Sequence, residues 1–264
     1  LIVRAGTNQP GEGDVVIESD TGATVTRTNG FLYIFPGSIT NVSPNSGQVG
    51  TLVTLTGTSL LGGGTSLATA TVNNFAATVR SATDIRVVVE LADGAPSVGT
   101  IQLSADTGAI VSSSAGAFTY ITPGNITAVT PATGVLGSRV TIQGTALLGG
   151  ASQLSDVLVG NVSVTSIVSA TNTAVVVELG SKARSLTPED IEIRAQTGAR
   201  ITGQALFSYL DPGVITDVSP SSGARGTRIT ITGTRLRTGG SEVTNVTLNS
   251  VQATVVSEND TYVV

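Results

Sequence analysis

Apolar positions in this chain fall in short runs of about five to seven residues, rich in Val, Ile and Thr and punctuated by Gly, Asn and Pro. Leu52 to Gly57, Val87-Val88-Val89-Glu90-Leu91 and Val175-Val176-Val177-Glu178-Leu179 are examples. β-Branched residues suit a pleated, half-buried surface, so these runs predict short strands with few or no helices. Phe31-Leu32-Tyr33, Phe118-Thr119-Tyr120 and Phe207-Ser208-Tyr209 add an alternating aromatic strand. Residues two apart on a strand share a face, which makes these six rings packing positions.

The runs repeat. Pro36-Gly37-Ser38-Ile39-Thr40-Asn41-Val42-Ser43-Pro44 recurs from Pro123 to Pro131 and again from Pro212 to Pro220. A small-residue turn and a β-branched run follow each: Ser46 to Thr51 before Leu52 to Gly57, then Thr133 to Gly144 and Ser222 to Gly233. Asp20-Thr21-Gly22-Ala23, Asp106-Thr107-Gly108-Ala109 and Gln196-Thr197-Gly198-Ala199 are matching hairpin signals, with glycine supplying a positive φ. A period near 88 residues with about seven strands predicts an immunoglobulin-like sandwich. The expected fold is all-β: tandem immunoglobulin-like β-sandwiches, two complete and one split between the chain ends.

Ile-Thr-x-Val-x-Pro, Ser-Gly-x-x-Gly-Thr and Thr-Ile-x-Gly-Thr-x-Leu appear together at Ile215 to Pro220, Ser222 to Thr227 and Thr230 to Leu236. This combination resembles the IPT/TIG family of immunoglobulin-like domains, and the resemblance runs over essentially the whole chain. Thr133 and Ser138 replace Ser and Thr in the second copy without altering the turn chemistry. The resemblance implies modules like those of cell-surface receptors, tandem arrays in exported microbial proteins, accessory parts of carbohydrate-active enzymes and dimerisation domains of some transcription factors. A fold shared so widely does not decide function.

The copies set the expected domains: 36–122 and 123–211 whole, 1–35 the C-terminal part of a domain, and 212–264 the N-terminal part of one. Leu1 lies at the phase of Val87 and Val264 at the phase of Val88, so the two end pieces amount to one further period. Half a sandwich exposes its core face and its strand edges. The two intervening domains are expected to hold the halves of one molecule apart, whereas 212–264 of one subunit can be completed by 1–35 of the next. Such heterologous contacts propagate as filaments when they do not close. A window of a longer covalent array accounts for the same phase. The interface candidates are Leu1, Ile2, Val3, Glu12, Glu18, Phe31, Tyr33, Arg235, Arg237, Val263 and Val264. The four charged ones stand where the other copies carry mostly neutral residues, with opposite signs in the two pieces; drift between solvated faces explains them equally well.

Composition narrows the chemistry. Among 264 residues there is no His or Cys, which removes Ser-His-Asp and Cys-His nucleophiles and the usual ligands of zinc, copper and iron. The net charge is −5, with twelve scattered arginines and the single lysine Lys182, not the basic footprint of a nucleic-acid binder. Glu189-Asp190-x-Glu192 is the densest carboxylate cluster. It lacks the glycine-punctuated alternation of a calcium loop and reads as a strand entry, so neither a metal nor a cofactor is expected. No apolar run approaches the roughly 20 residues that span a bilayer. Asn41, Asn125, Asn161, Asn245 and Asn259 begin Asn-x-Ser/Thr sequons, candidates for covalently attached glycans in an exported protein.

The expectation is therefore a non-enzymatic, extracellular or cell-surface protein whose partner is itself: a structural subunit or segment of a filament built head to tail. The alternatives are a spacer in a cell-surface adhesin or receptor ectodomain, and accessory domains of an exported carbohydrate-active enzyme.

Overall fold

The computed structural model describes residues 2–264, and among them there are strands and no helix. Leu1 lies outside the described residues. The chain divides between Ile121 and Thr122 into two compact units.

The second unit contains the 123–211 repeat as a two-layer sandwich. One sheet joins, in order, Asn125–Thr130, Arg139–Thr145, Ala174–Glu178 and Ser166–Ala170; the other joins Thr133–Gly134, Arg200–Tyr209, Glu189–Ala195, Leu154–Val159 and Val162–Ser163. Strand alternation builds the core between them. Val175 and Val177 point inward from one sheet, and Ile191, Ile193, Ile201, Phe207 and Tyr209 from the other. The Phe207 and Tyr209 rings meet edge to face at 5.3 Å, an arrangement the ring quadrupoles favour.

The first unit contains the 36–122 repeat and, before it, the hairpin of Gly11–Glu18 and Thr24–Tyr33. The repeat's core is built likewise from Val53, Leu55, Val87, Val89, Ile101, Leu103 and the Phe118 and Tyr120 rings. Its sheets are joined differently. Phe75–Ala82 pairs with Leu67–Val72 on one side and Arg86–Leu91 on the other, so seven strands form one wrapped sheet. In the second repeat the equivalent chain changes layer between adjacent residues: Val164 N–H donates to Val157 O and Thr165 N–H to Glu178 O.

The repeats hold ten and nine strand segments respectively, more than the seven expected from the runs. The extra segments arise where the chain crosses between sheets. Ser46–Gly47 leaves the Ser38–Ser43 strand to pair in parallel with Phe118–Tyr120, and Thr133–Gly134 does the same against Arg200–Tyr209. Glycine makes one recurrent approach possible. A Cβ on Gly57, Gly144 or Gly233 would lie 1.9, 2.1 or 2.2 Å from the carbonyl oxygen of Ser38, Asn125 or Val214. The Gly of the Thr-Ile-x-Gly-Thr-x-Leu motif, with Leu55 in place of Ile in the first copy, therefore lets two strands close at a bulge, the same in all three copies.

Candidate functional site

The uncovered surfaces lie in the two outer segments. In the second unit, Val214–Ser219, Thr230–Thr234 and Tyr262–Val263 form a three-stranded sheet, and Val246–Leu248 pairs with Val251–Ala253. These match the first, third and later strands of the 123–211 repeat; among the described residues of 212–264 no strand matches Glu189–Ala195 or Arg200–Tyr209 of that repeat. The result is an open groove of about 1180 Å³, with apolar Ile229, Ile231, Val246, Leu248 and Val263 on its wall and polar Arg225, Thr227, Arg228 and Gln252 beside them. One contact makes the gap concrete. A Cβ at Gly124 would lie 2.6 Å from the Ile201 side chain, and at Gly37 2.6 Å from Val111; at Gly213 its three nearest neighbours are atoms of Arg235 and Thr238.

In the first unit, the Gly11–Glu18/Thr24–Tyr33 hairpin is the missing piece in kind. Its turn is Asp20-Thr21-Gly22-Ala23, with Gly22 at φ +82°. Asn29 takes φ 50° and its N–H donates to Asp14 Oδ1 at 2.8 Å; Ala205 takes φ 54° and its N–H donates to Asp190 Oδ1, also at 2.8 Å. The hairpin thus reproduces the bulge of the second repeat residue for residue. What differs is cover. Val15, Ile17, Val25 and Phe31 are 38%, 53%, 72% and 45% exposed, whereas Ile191, Ile193, Ile201 and Phe207 in the same places are at most 1% exposed. Isolated hairpins of this kind gain independent stability only by packing on a further layer.

The residues singled out from sequence are distributed as follows. Ile2 and Val3 are exposed and outside any strand, and Glu12 and Glu18 lie exposed on the hairpin. Phe31 and Tyr33 stack edge to face at 4.9 Å on its inner face. Val263 is buried against Ile231, beside half-buried Val264. Arg237 is engaged within its own segment: its Nη2 and Nε donate to Glu258 Oε1 and Oε2 at 2.8 and 2.9 Å, and Asp260 Oδ1 accepts from its backbone N–H. The guanidinium holds the Glu258 carboxyl below its ordinary pKa. Arg235 Nε donates to Pro212 O at 3.1 Å. Of the sequons, Asn41, Asn125, Asn161 and Asn245 are exposed. Asn259 is half-buried and its Oδ1 accepts from Thr261 N–H, Thr261 Oγ1 and Tyr262 N–H.

The Glu189–Glu192 carboxylates are each engaged. Glu189 pairs with Lys182 and accepts from Ser185 Oγ at 2.8 Å, Asp190 caps Ala205, and Glu192 pairs with Arg194. Lys182 and Ser185 hold the Glu189 carboxyl below its usual range. Burial, with the Glu189 charge nearby, pushes Tyr209 up to about 12. The carboxylates were legible in the sequence, but the approach of Lys182 and Ser185 to Glu189 was not, because they come from a loop and Glu189 from a strand. The inner-face residues Val15, Ile17, Val25, Ile229, Ile231, Val246 and Leu248 escaped sequence reasoning, although aligning them with Ile191, Ile193, Ile201, Val140, Ile142, Val157 and Val159 would have marked them.

The match to a family profile agrees with this architecture. The profile of the IPT/TIG domain matches residues 38–120, 125–209 and 214–264. No curated protein matches the chain. Among solved structures, the chain is similar to the full extracellular region of plexin A4, at 18% identity over 86% of this chain and 20% of that one, with a TM-score of 0.48. It is also similar to the SGBP-B protein of the Bacteroides ovatus mixed-linkage glucan utilization locus (12% identity, 76% of this chain, 53% of that one, TM-score 0.28). A third is the gamma-CGTase of alkalophilic Bacillus clarkii (15% identity, 74% of this chain, 31% of that one, TM-score 0.30). The chain spans from a fifth to about half of the length of these proteins. With three matched segments covering most of its residues, this chain belongs to the IPT/TIG domain family and carries the domain in tandem.

Proposed function

We propose that this chain is a structural, non-enzymatic component of an extracellular filament, in which 212–264 of one unit is completed by 1–35 of the next. The observation that carries the reading is the pair of uncovered faces. The hairpin has the inner-face pattern of the strands that close the second repeat, and the groove lacks the strands that such a hairpin supplies. Joining them buries apolar surface and satisfies strand edges at once, the physics of strand complementation. Because the donor and acceptor faces differ, the contact is heterologous and repeats along a line. The exposed Asn41, Asn125, Asn161 and Asn245 side chains leave room for attached glycans, which the intact mass of the protein purified from its source would reveal.

Electron microscopy tests the reading. Filaments that lengthen with protein concentration, and disappear when residues 1–35 are deleted, are expected. Discrete rods of constant length at every concentration would instead select a spacer role in an adhesin, receptor ectodomain or exported carbohydrate-active enzyme, which the tandem IPT/TIG organisation also serves.

A further inference from the structure

We infer the strand register of the joint; this rests on the head-to-tail reading above. The second repeat supplies the template. There Leu154–Val159 runs antiparallel to Glu189–Ala195 with Val157 opposite Ile193, Leu158 opposite Glu192 and Val159 opposite Ile191. Val246, Thr247 and Leu248 occupy the places of Val157, Leu158 and Val159, and Val15, Val16 and Ile17 those of Ile191, Glu192 and Ile193. The joint therefore sets Val246 opposite Ile17, Thr247 opposite Val16 and Leu248 opposite Val15 of a second copy. On the other edge, Thr133 and Gly134 pair in parallel with Ser208 and Tyr209, which places Ser222 beside Leu32 and Gly223 beside Tyr33.

Burial selects this register. A slip of one residue turns Val15 and Ile17 to solvent. A slip of two carries Val25 away from Gly213, the place where Ile201 meets Gly124 in the complete repeat. At the hairpin turn, Asp106 in the first repeat accepts from Thr65 N–H, Thr65 Oγ1 and Ser66 Oγ. Asp20 stands at the place of Asp106 and Ser241 at that of Thr65, which retains two of these donors. Glu242 replaces Ser66, so the third is lost.

One experiment on the full chain reads this out. Because the protein has no cysteine, Val16→Cys and Thr247→Cys chains can be mixed and oxidised; opposed strand residues lie within disulfide reach. The expected product is a cross-linked dimer that needs both variants, while Asp14→Cys mixed with Thr247→Cys gives none. Cross-linking through Asp14→Cys in place of Val16→Cys overturns the register and leaves the filament reading standing. A parent protein that sediments as a monomer at all concentrations removes both.

Discussion

The same residue type at the same motif position carries different weight according to what covers it. Phe207 is enclosed between two sheets and Phe31 is half open, though both begin the aromatic strand of their copy. Phe207→Ala should cost about 3–5 kcal/mol, and Phe31→Ala in unassembled protein about 1 kcal/mol or less, measured by urea unfolding followed by circular dichroism. Tyr209 makes a second case. Its hydroxyl is buried without a hydrogen-bond partner and its pKa is raised to about 12. The folded state therefore holds the phenol proton after the unfolded chain has released it. Stability from this group is complete below the ordinary tyrosine value of 10.0 and falls as pH rises from there toward 12. Tyr209→Phe should leave the urea midpoint at pH 7 nearly unchanged, since no bond is lost, and reduce the alkaline decline. Glu189 has the opposite sign: its depressed pKa contributes stability above the ordinary carboxylate range that is lost as pH falls through its folded value. The aromatic motif was legible in the chain, whereas the Lys182–Glu189–Tyr209 cluster depends on approaches between distant segments.

Turns and strands show how local chemistry and packing divide the work. The Asp-Thr-Gly-Ala and Gln-Thr-Gly-Ala tetrads are hairpin turns where the pattern placed them, with Gly22, Gly108 and Gly198 all at positive φ. The sheet-switching segments were not legible, because a strand that changes layer keeps the same residue types and alters only its partners. Gly144 records a requirement of such packing, and Gly144→Ala should destabilise the second repeat by about 2–3 kcal/mol through collision with the Asn125 carbonyl. The hairpin offers a cleaner separation of fold from assembly. Val25 is largely exposed, so Val25→Asp should leave the circular dichroism spectrum of unassembled protein unchanged while abolishing polymers, because it puts an unpaired charge into the groove. Polymerisation equal to the parent's would show that this inner face is not used.

For the whole molecule, the proposed head-to-tail joint, if held by apolar burial, has a thermal signature. Hydrophobic association weakens on cooling, so the concentration at which polymers form should be higher at 4 °C than at 25 °C, as light scattering would report. A joint held mainly by surface ion pairs would respond chiefly to salt instead. The sequence by itself determined the strand character, the three-fold recurrence, the turn chemistry and the lack of histidine and cysteine, since each is written in residue types and spacings along the chain. It also placed Glu12, Glu18, Arg235 and Arg237 as charges of opposite sign on the two outer segments, but not their contacts. Only the tertiary structure decided that Arg237 binds Glu258, that the Glu189 carboxylates are already engaged, and that Val25 and Ile231 face open space while Ile201 and Ile142 do not. The reason is physical: whether a side chain is buried, paired or waiting for a partner depends on which distant strand lies across from it, and that is a property of the packed chain.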